Sequence, residues 1–554
     1  MSNNVKVNDI FECLCRALSR DAKVNETSQE FSALNSNWER VDYSLKLIKK
    51  YKLSPKFETN KKNDLVSIQY RVQGNTEFNE TNYQLALMFY TKSIAFATNN
   101  SKALGLAYAN RSVVLLRKDF YAQCLKDIDR ALNNQYPEDL AYKLELRRSK
   151  CKKPPRQQTE LSYYNPPPII EHPNQLINCA SSSIKINKSE ELGRHVLAVK
   201  NIPIGDVIAV EEPYSKLLLK DFIYSYCSNC LELCYDLIPC DGCIYALFCS
   251  EKCKESAWKL YHQYECPIIT MLYHLELTKL NLLALRITLQ ARDIFGIIDK
   301  FNKNNKVYKS DSYEEIHFLE GNTHLRNSAD LFPRSVTAAV IFNLLENHTD
   351  FIKDLKQPEN DEKTVKELIL RHLQTGPTNF HEISECREDY FGDFESSVET
   401  GAGAFSFMSL INHSCNPNVL RVCHGSKIVL RALRPIKKGE ELLDNYGYHF
   451  AVNNKNERQR ELKRQYFFDC KCEACEQNWP QFNNLQVRTK GFDINEDTLA
   501  ALLHGDLVTA KKCLPLFQSK AQSSEDLRPC RVLASIQETI KRCYALFGNK
   551  SDRI

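Results

Sequence analysis

The 554-residue sequence contains no apolar run of about 18 residues, the length that a membrane-spanning helix requires. Its first stretch, MSNNVKVNDIFECLCRALSRDAK, lacks the long apolar core of a signal peptide. These two absences favour a protein without a membrane anchor in a reducing, intracellular setting. We expect it in the nucleus and the cytoplasm.

A strong charge of either sign is also missing. The formal net charge is only +5, with 74 Lys and Arg against 69 Asp and Glu. This small excess gives no indication of a protein built around phosphate contacts, so direct binding to nucleic acid is not predicted. With 43% hydrophobic and 26% charged residues the chain can bury real cores. Its length allows three or four domains.

Cysteine, in contrast, is abundant, with 22 residues in the chain. In the cysteine-rich segment, residues 227–266, the order is C-x2-C, C-x2-C, C-x3-C and H-x3-C. Zinc takes four thiolate or imidazole ligands, and each closely spaced pair supplies two of them. A disulfide framework is the alternative, but such frameworks belong to short secreted chains. The pattern therefore predicts two zinc sites from Cys227, Cys230, Cys240, Cys243, Cys249, Cys253, His262 and Cys266.

The region ahead of the cysteine-rich segment has helical character and an internal repeat. The stretches AYANRSVVLL (107–116) and YAQCLKDIDRAL (121–132) resemble a tetratricopeptide unit, whose usual length is about 34 residues. An ordinary helical hairpin is the alternative. Because a lone hairpin buries little apolar surface, we expect flanking helices to complete a stack. The repeated small and apolar positions are Gly74, Ala86, Tyr90 and Ser93, then Ser112, Cys124, Ile128 and Ala131.

Further along, strand and helix patterns alternate. Prolines are concentrated in residues 151–183, which predicts a linker, because proline removes backbone donors. RHVLAV and DVIAVEE predict hairpin-like strands, and NVLRV and KIVLRAL predict strands near residue 420. Between them, from Ile268 to about His381, the pattern is helical. A strand region that is interrupted and then resumed indicates one domain with inserts.

Three motifs near the C-terminal end carry the chemistry: SLINHSCNPNV, KKGEELLDNYG and FFDCKCEAC. Cys470, Cys472 and Cys475 supply three ligands of a further zinc site with no fourth ligand nearby. Cys415 in the NHSC motif is the candidate for closing it, which would tie this tail to the strand domain. The preceding Gly401-Ala402-Gly403 lacks a full G-x-G-x-x-G pattern and is interpreted as a flexible approach to the NHSC motif.

In this order the motifs resemble the SET and MYND domain-containing (SMYD) family of protein-lysine methyltransferases. The cysteine-rich segment resembles the MYND zinc finger, and GRHVLAVKNIPIGDVI resembles the opening strands of a SET domain. NHSCNPN, with GEEL and a following Tyr, resembles its catalytic end, and the C-x-C-x2-C tail resembles the post-SET motif. With a tetratricopeptide-like region ahead of the SET domain and helices behind it, the chain most resembles the subfamily of SET and MYND domain-containing protein 4 and its insect relatives. The resemblance covers most of residues 70–550.

The resemblance implies an α+β multidomain fold in which a β-rich SET domain carries inserts. The predicted parts are a helical region (1–150) with tetratricopeptide-like repeats (about 68–137), a proline-rich linker (151–183), a split SET domain (184–447) containing a MYND zinc finger (227–266) and a helical insert (268–400), a post-SET zinc motif (448–480) and a C-terminal helical region (481–554).

The implied activity is methyl transfer to lysine with S-adenosyl-L-methionine as cofactor. Tyr446 matches the catalytic tyrosine, and Tyr466 matches an aromatic position of the lysine channel, although Tyr466 can equally be a core residue. Leu192 departs from the family, which often has Asn or Lys before the glycine of the first cofactor loop. The implied cofactor residues are Gly193, Arg194, His195, Asn379, Ser409, Ile411, Asn412, His413, Tyr446 and Phe468.

Zinc, about three ions per chain, is implied in structural roles only. In the cross-braced MYND finger of the family, the two ligand sets interleave along the chain, and the post-SET motif supplies the third. The sets are Cys227, Cys230, Cys249 and Cys253; Cys240, Cys243, His262 and Cys266; and Cys415, Cys470, Cys472 and Cys475.

The implied partners are protein substrates that carry lysine, together with proteins or peptides bound by the MYND and tetratricopeptide regions. We expect a monomer. Histone and non-histone substrates both stay open, as does the number of methyl groups transferred. The alternative function is a catalytically weak scaffold that acts as a protein-binding transcriptional regulator.

Overall fold

The computed structural model describes residues 6–54, 61–152, 165–302, 307–389, 393–487 and 494–551. Pro154 and Pro155 of the predicted linker lie outside these ranges. Among the helices of the described residues, none combines the length and the apolar character needed to cross a bilayer.

Helices dominate both ends of the chain and strands dominate its centre. The helices are α1 (Val7–Arg20), α2 (Val24–Ser32), α3 (Asn37–Lys50), α4 (Asp64–Asn79), α5 (Tyr83–Phe96), α6 (Lys102–Arg117), α7 (Tyr121–Leu132), α8 (Ala141–Cys151), α9 (Glu251–Ala257), α10 (Gln263–Glu265), α11 (Ile269–His274), α12 (Lys279–Gln290), α13 (Tyr313–His317), α14 (Ser328–His348), α15 (Pro358–Asn379), α16 (Lys455–Tyr466), α17 (Glu473–Glu476), α18 (Glu496–Leu503), α19 (Leu507–Ser524) and α20 (Arg531–Phe547). The strands are β1 (Ile184–Ser189), β2 (Gly193–Ala198), β3 (Val207–Glu211), β4 (Ser215–Leu218), β5 (Ile238–Pro239), β6 (Leu247–Phe248), β7 (Phe380–Glu388), β8 (Phe394–Ala404), β9 (Asn412–His413), β10 (Val419–His424), β11 (Lys427–Ala432), β12 (Leu443–Asp444) and β13 (Lys550–Ser551). The predicted α+β class is confirmed.

The central region is built from small sheets. Their strand orders are β1-β2, β10-β11-β3, β12-β9, β13-β7-β8-β4 and β5-β6. Most pairs are antiparallel, but β9 pairs with β12 in parallel, as β7 does with β13. A single apolar core joins these sheets, apart from β12-β9, to the helices α12, α14 and α15. The strand region and the insert therefore fold as one body.

The helical insert ends earlier than predicted. The predicted boundary is residue 400, although the helical pattern itself is predicted only to about His381. The last helix ends at Asn379, and β7 and β8 follow at once. Gly401, interpreted above as part of a flexible approach, lies instead in β8 opposite Leu218 of β4. A Cβ at Gly401 would lie 2.7 Å from the carbonyl oxygen of Leu217, so glycine allows this close pairing.

The first three helices pack on the insert and not on the repeats. Asn37 in α3 donates to Glu367 in α15 at 3.0 Å, and Lys366 pairs with Asp42 at 3.0 Å. Val41 is fully buried in the same core. The prediction that flanking helices complete the stack is therefore wrong for α1 to α3, because the apolar face of α3 packs on the insert.

Helices α4 to α8 form two stacked hairpins with α8 packed against α6 and α7. Their core is a separate apolar cluster. Gly74 sits where α4 meets α5, and a Cβ there would lie 2.5 Å from the ring of Tyr90. The tight crossing explains the small residue of the repeat pattern, while membership of the tetratricopeptide class stays a prediction.

A buried ion pair lies at the centre of these hairpins. Arg111 in α6 donates to both carboxylate oxygens of Asp127 in α7, at 2.7 and 2.9 Å, and both side chains are fully buried. Arg111 also donates to the hydroxyl of Thr91 at 3.2 Å. Such a bidentate pair fixes the register of the two helices.

Replacing Asp127 with asparagine is expected to destabilise the repeats by about 3–5 kcal/mol, because the guanidinium of Arg111 would stay buried without a counter-charge. Urea unfolding followed by circular dichroism measures the loss. The matched control is Asp129→Asn, which removes an exposed carboxylate paired with Arg148 at 2.7 Å; its cost should stay below about 1 kcal/mol. Equal effects of the two substitutions would contradict the prediction.

The C-terminal helices are fastened to the central sheet. Helix α20 packs on β7, β8 and β10. Beyond it, Ser551 of β13 pairs with Arg387 of β7, and its hydroxyl donates to Glu385 at 2.9 Å. The backbone N–H of Asn549 donates to the carbonyl of Cys423 at 2.9 Å. Residues 549–551 therefore cover part of the β7 edge.

Candidate active site and metal clusters

The NHSC motif lies beside the segment that carries Tyr446. Asn412 and His413 form β9, which pairs with β12 and so places Asp444 opposite His413. The phenol of Tyr446 donates to the carbonyl oxygen of Ile411 at 2.8 Å, and its backbone N–H donates to Nδ1 of His413 at 3.1 Å. The NHSC motif and the segment of Tyr446, which are separate in sequence, thus form one wall of the candidate site.

Aromatic rings complete this wall. The ring centroids of Tyr446 and Tyr466 lie 4.7 Å apart, and the ring of His413 lies 5.1 Å from Tyr446 and 6.1 Å from Phe468. Phe467 has a φ of +65°, which ends α16 and redirects the chain between Tyr466 and Phe468. The structure therefore brings together four of the predicted site residues, Tyr446, Tyr466, Phe468 and His413, which we call the aromatic wall. Their catalytic and cofactor roles stay predictions.

Both phenols of the wall are protonated at neutral pH. Burial raises the pKa of Tyr446 well above its usual value, and the Asp444 carboxylate raises it further. Burial raises the pKa of Tyr466 to about 12. Each hydroxyl can therefore act as a hydrogen-bond donor, as Tyr446 does toward Ile411.

Ser409 and Asn379 meet on one side of the NHSC motif. The hydroxyl of Ser409 lies 2.7 Å from the carbonyl oxygen of Asn379. The side-chain nitrogen of Asn379 donates to the carbonyls of Glu320 and Thr375, each at 2.8 Å, and so closes the end of α15. Because the side-chain nitrogen of Asn379 already donates to these carbonyls, a ligand at this position would contact the side-chain oxygen.

The turn at Gly193 borders the motif on the other side. Gly193 has a φ of +63°, a conformation that favours glycine. Arg194 pairs with Glu315 at 3.0 Å, and the ring nitrogens of His195 lie 3.1 Å from the Gly193 carbonyl and the Asn187 amide. These side chains hold the turn in place, and their role toward a cofactor stays a prediction.

The turn and the motif approach each other through a second amide. The side-chain nitrogen of Asn412 lies 3.5 Å from the carbonyl oxygen of Leu192 and donates to Glu441 at 2.8 Å. At position 192 the family often has a polar residue. Here the contact to Asn412 is made by the backbone carbonyl of Leu192. The predicted cofactor residues therefore surround one region, although they come from five separate stretches of chain.

Glu211 supports this region and was not predicted. Its carboxylate is fully buried at the end of β3 and accepts the backbone N–H groups of Phe407 and Met408, each at 2.8 Å. Burial raises its pKa to about 8, while those N–H groups lower it. It fixes the turn that leads into Ser409 and the NHSC motif. The signal in the sequence is an acidic residue at an inward position of DVIAVEE.

Replacing Glu211 with glutamine is expected to destabilise the protein by about 1–3 kcal/mol. Glutamine keeps one acceptor oxygen, but its NH2 group replaces the other, so one buried backbone N–H would lose its acceptor. Chemical unfolding measures the difference. Glu212→Gln is the matched control, since its exposed carboxylate lies on the adjacent residue and makes surface ion pairs. A Glu211→Gln protein as stable as this control would refute the assigned role.

A buried carboxylate beside Tyr446 was also missed. Asp444 pairs with Arg421 at 2.7 Å, and Arg421 also contacts the ring of His381. Burial raises the pKa of Asp444, and Arg421 opposes that shift. Its ion pair commits this carboxylate to Arg421, so it stands as a structural group and not as a free base.

The structure groups the predicted metal ligands into three clusters. Within each cluster all four ligand atoms lie within 4.8 Å of one another. The members of the clusters are Cys227, Cys230, Cys249 and Cys253; Cys240, Cys243, His262 and Cys266; and Cys415, Cys470, Cys472 and Cys475. The interleaved order implied by the resemblance and the distant ligand Cys415 both appear in this grouping.

The distances fit tetrahedral zinc. Zn–S bonds of about 2.3 Å in a tetrahedron place sulfur atoms about 3.8 Å apart. The Sγ atoms of Cys230 and Cys249 are 3.7 Å apart, and Cys415 lies 3.5 Å from Cys475. His262 approaches Cys240 with Nε2 at 3.2 Å. Each cluster supplies four protein ligands, which leaves no coordination position for water.

Arg458 braces the third cluster from α16. Its side chain is fully buried, its Nη1 donates to the carbonyl of Asn453 at 2.7 Å, and its Nη2 lies 3.5 Å from the sulfur of Cys475. Nearby, Gln459 donates to the carbonyl of Cys470 at 2.7 Å. The helix that ends in Tyr466 is thus attached to the metal cluster.

Sequence comparison relates the chain to characterised proteins. The SET domain family profile matches residues 193–447. Protein-lysine N-methyltransferase SMYD4 of Danio rerio is 28% identical, over 82% of this chain and 72% of the relative, and SMYD4 of Homo sapiens is 26% identical, over 74% and 66%. Histone-lysine N-methyltransferase ASHR1 of Arabidopsis thaliana is 26% identical, over 64% and 65%. A solved SET domain of LSMT bound to lysine and AdoHcy aligns with 66% of this chain and 85% of its own, at 12% identity and a TM-score of 0.23, too low to transfer any property.

Proposed function

Because the chain belongs to the SMYD family of lysine methyltransferases, we propose that it is a protein-lysine N-methyltransferase acting on histone or non-histone proteins. The observation that carries the proposal is the phenol of Tyr446, fixed on the carbonyl of Ile411 within an aromatic wall. The matched SET region includes both residues. The methyl donor is S-adenosyl-L-methionine.

The residues around the NHSC motif fit this cofactor. S-adenosylmethionine, when bound, supplies a methyl group on a positively charged sulfur. The amide oxygens of Asn379 and Asn412 offer acceptors, and the rings of His413 and Phe468 offer flat faces, for a charged nucleoside. Ser409 and the Gly193 turn border the same region.

The aromatic wall prepares the lysine. A lysine side chain has a pKa near 10.4 in water and must lose its proton before it can attack. Burial among Tyr446, Tyr466 and Phe468 disfavours the ammonium form and excludes water. The hydroxyl of Tyr446 and the carbonyl of Ile411 lie where they can orient the neutral amine. No carboxylate base is needed, which agrees with the pairing of Asp444.

Three zinc ions per chain complete the proposal, each in a structural role. The first two lock a cysteine-rich segment with little core of its own, and the third joins the tail to the NHSC motif. We assign the cysteine-rich segment to the MYND class and helices α4 to α8 to the tetratricopeptide class, both as partner-binding modules. The protein acts as a monomer in nucleus and cytoplasm and does not bind nucleic acid directly.

Calorimetric titration with S-adenosylmethionine tests the proposal on zinc-loaded protein. Saturable binding at one site, together with methyl transfer from labelled cofactor to proteins of a cell extract, is expected. Absence of binding by folded protein would favour the alternative, a SET and MYND scaffold that regulates transcription through protein contacts.

A further inference from the structure

One lysine at the junction of α5 and the cysteine-rich segment lies among three aromatic rings. Helix α5 packs on β5 of that segment. The Nζ atom of Lys92 lies 5.4 Å from the ring centroids of Phe89 and of Tyr224, and 5.7 Å from that of Tyr70. All three distances are within the range of cation–π attraction. We name the three rings the lysine cage.

The lysine cage is assembled from separate parts of the chain. Tyr70 belongs to α4 and Phe89 to α5, and their rings stack with centroids 6.4 Å apart. Phe89 and Lys92 are three residues apart and so lie on one face of α5. Tyr224 comes from the region matched as a SET domain, just before the ligand Cys227. The cage therefore closes only when α5 is docked against the chain that leads into the cysteine-rich segment.

The ammonium group of Lys92 has no polar partner in the part of the chain that the structure describes. At the same junction Lys126 pairs with Asp236 at 3.5 Å, and Lys62 donates to the carbonyl of Ala95 at 3.0 Å. Burial lowers the pKa of Lys92, and no carboxylate opposes the shift. An ammonium carries three N–H donors, and ring faces are poor acceptors for them. The unmodified side chain is therefore imperfectly matched to its surroundings.

Contact with three rings distinguishes Lys92 from Lys118 and Lys220. These two lysines each face one ring, that of Tyr83 and that of Tyr273. Several aromatic faces around one cation form the arrangement that recognises quaternary ammonium groups, including methylated lysine. Methylation keeps the positive charge and replaces N–H donors with apolar methyl groups. A methylated side chain would therefore fit the lysine cage better than an unmodified one.

We propose that Lys92 is a methylation site and that the lysine cage holds its di- or trimethylated form. The side chain is half-buried, so it can leave the rings and reach a modifying enzyme. In each transfer the neutral amine attacks the methyl carbon of S-adenosylmethionine. An N–C bond forms, the C–S bond breaks with its electron pair left on sulfur, and the proton of the amine goes to water.

The methyl groups have two conceivable sources, a second copy of this chain or another lysine methyltransferase. Both use the same donor and leave the same product on Lys92, so the proposal does not rest on the proposed function. In either case methylation would strengthen the contact between α5 and the chain before Cys227. The modification would thus set how firmly the helical repeats are held against the cysteine-rich segment.

Tandem mass spectrometry of the full-length protein tests for the modification. Unmethylated, zinc-loaded protein from bacteria is incubated with S-adenosylmethionine, alone or with an extract of eukaryotic cells, and methylation of Lys92 is expected in at least one reaction. Methylation without extract assigns the transfer to this chain, and methylation only with extract assigns it to another enzyme. The matched site is Lys118, also half-buried, which should stay unmethylated. Absence of methyl groups on Lys92 in both reactions, or equal methylation of Lys118, would overturn the proposal.

A second measurement tests the lysine cage without any transferase. Amber suppression installs dimethyllysine at position 92 of the full-length protein, and the temperature of thermal unfolding is expected to rise by about 2 °C. In the Tyr224→Leu protein, which keeps an apolar side chain but lacks one ring, the same modification should give no such rise. A dimethylated protein that unfolds at or below the temperature of the unmodified protein would refute the assigned cage.

Discussion

Replacing Tyr446 with phenylalanine is expected to reduce methyl transfer by roughly a hundredfold or more, because the site loses the hydroxyl that orients the reacting amine. The substitution keeps the ring that packs 4.7 Å from Tyr466. It removes one hydrogen bond to Ile411, which costs about 1 kcal/mol of stability. Transfer of labelled methyl groups to cell-extract proteins measures the activity, and thermal unfolding measures the fold.

The matched control is Tyr264→Phe. The phenol of Tyr264 donates to Asp354 at 2.9 Å, outside the aromatic wall, so its loss tests the effect of a missing hydrogen bond alone. This variant should keep its activity. If folded Tyr446→Phe protein methylates at the rate of the unchanged protein, the catalytic assignment is wrong.

Replacing Cys415 with serine is expected to lower the metal content from about three zinc ions to about two per chain and to loosen the tail. Structural zinc sites contribute roughly 10 kcal/mol or more of apparent binding free energy. The loss would also release α16, because Arg458 contacts the cluster. Tyr466 and Phe468 would then leave the aromatic wall, so methyl transfer should fall as well.

Elemental analysis and thermal unfolding measure these effects on purified protein. Cys234→Ser is the control, since Cys234 lies among the ligand cysteines but outside all three clusters, with its thiol 3.4 Å from Asp236. This variant should keep three zinc ions. A Cys415→Ser protein with unchanged zinc content would remove Cys415 from the ligand set.

Much of the site follows from local spacing. Cysteine pairs, the NHSC motif and Tyr446 after GEELLDN all lie within short stretches, and spacing alone indicates which residues can share a ligand or a strand. The missed groups depend on distant partners: Glu211 accepts the N–H of a residue 197 positions later, and Asp444 meets Arg421 across two strands. A buried acid gives no sequence signal of which N–H it will meet.

In the fold, too, local patterns predict some features, while others depend on contacts between distant parts of the chain. Helix periodicity predicts the helices of the insert, but it does not show that the apolar face of α3 packs on α14 and α15, hundreds of residues away. The helical pattern ends near His381, close to the end of α15 at Asn379, but the strands that follow were assigned to the insert because β8 is rich in glycine and alanine around Gly401, a composition with little strand signal. Its pairing depends on the approach of Leu217.

The short strand β13 also bears on solubility. Its two residues cover Cys386 and Arg387 on the outer side of β7, and Asn549 bonds both Cys423 and Ser384. Proteolytic trimming before Asn549 would uncover a strand edge with unpaired N–H and C=O groups. Such an edge invites pairing with another chain. A clipped preparation would therefore aggregate while its metal clusters and aromatic wall remained intact.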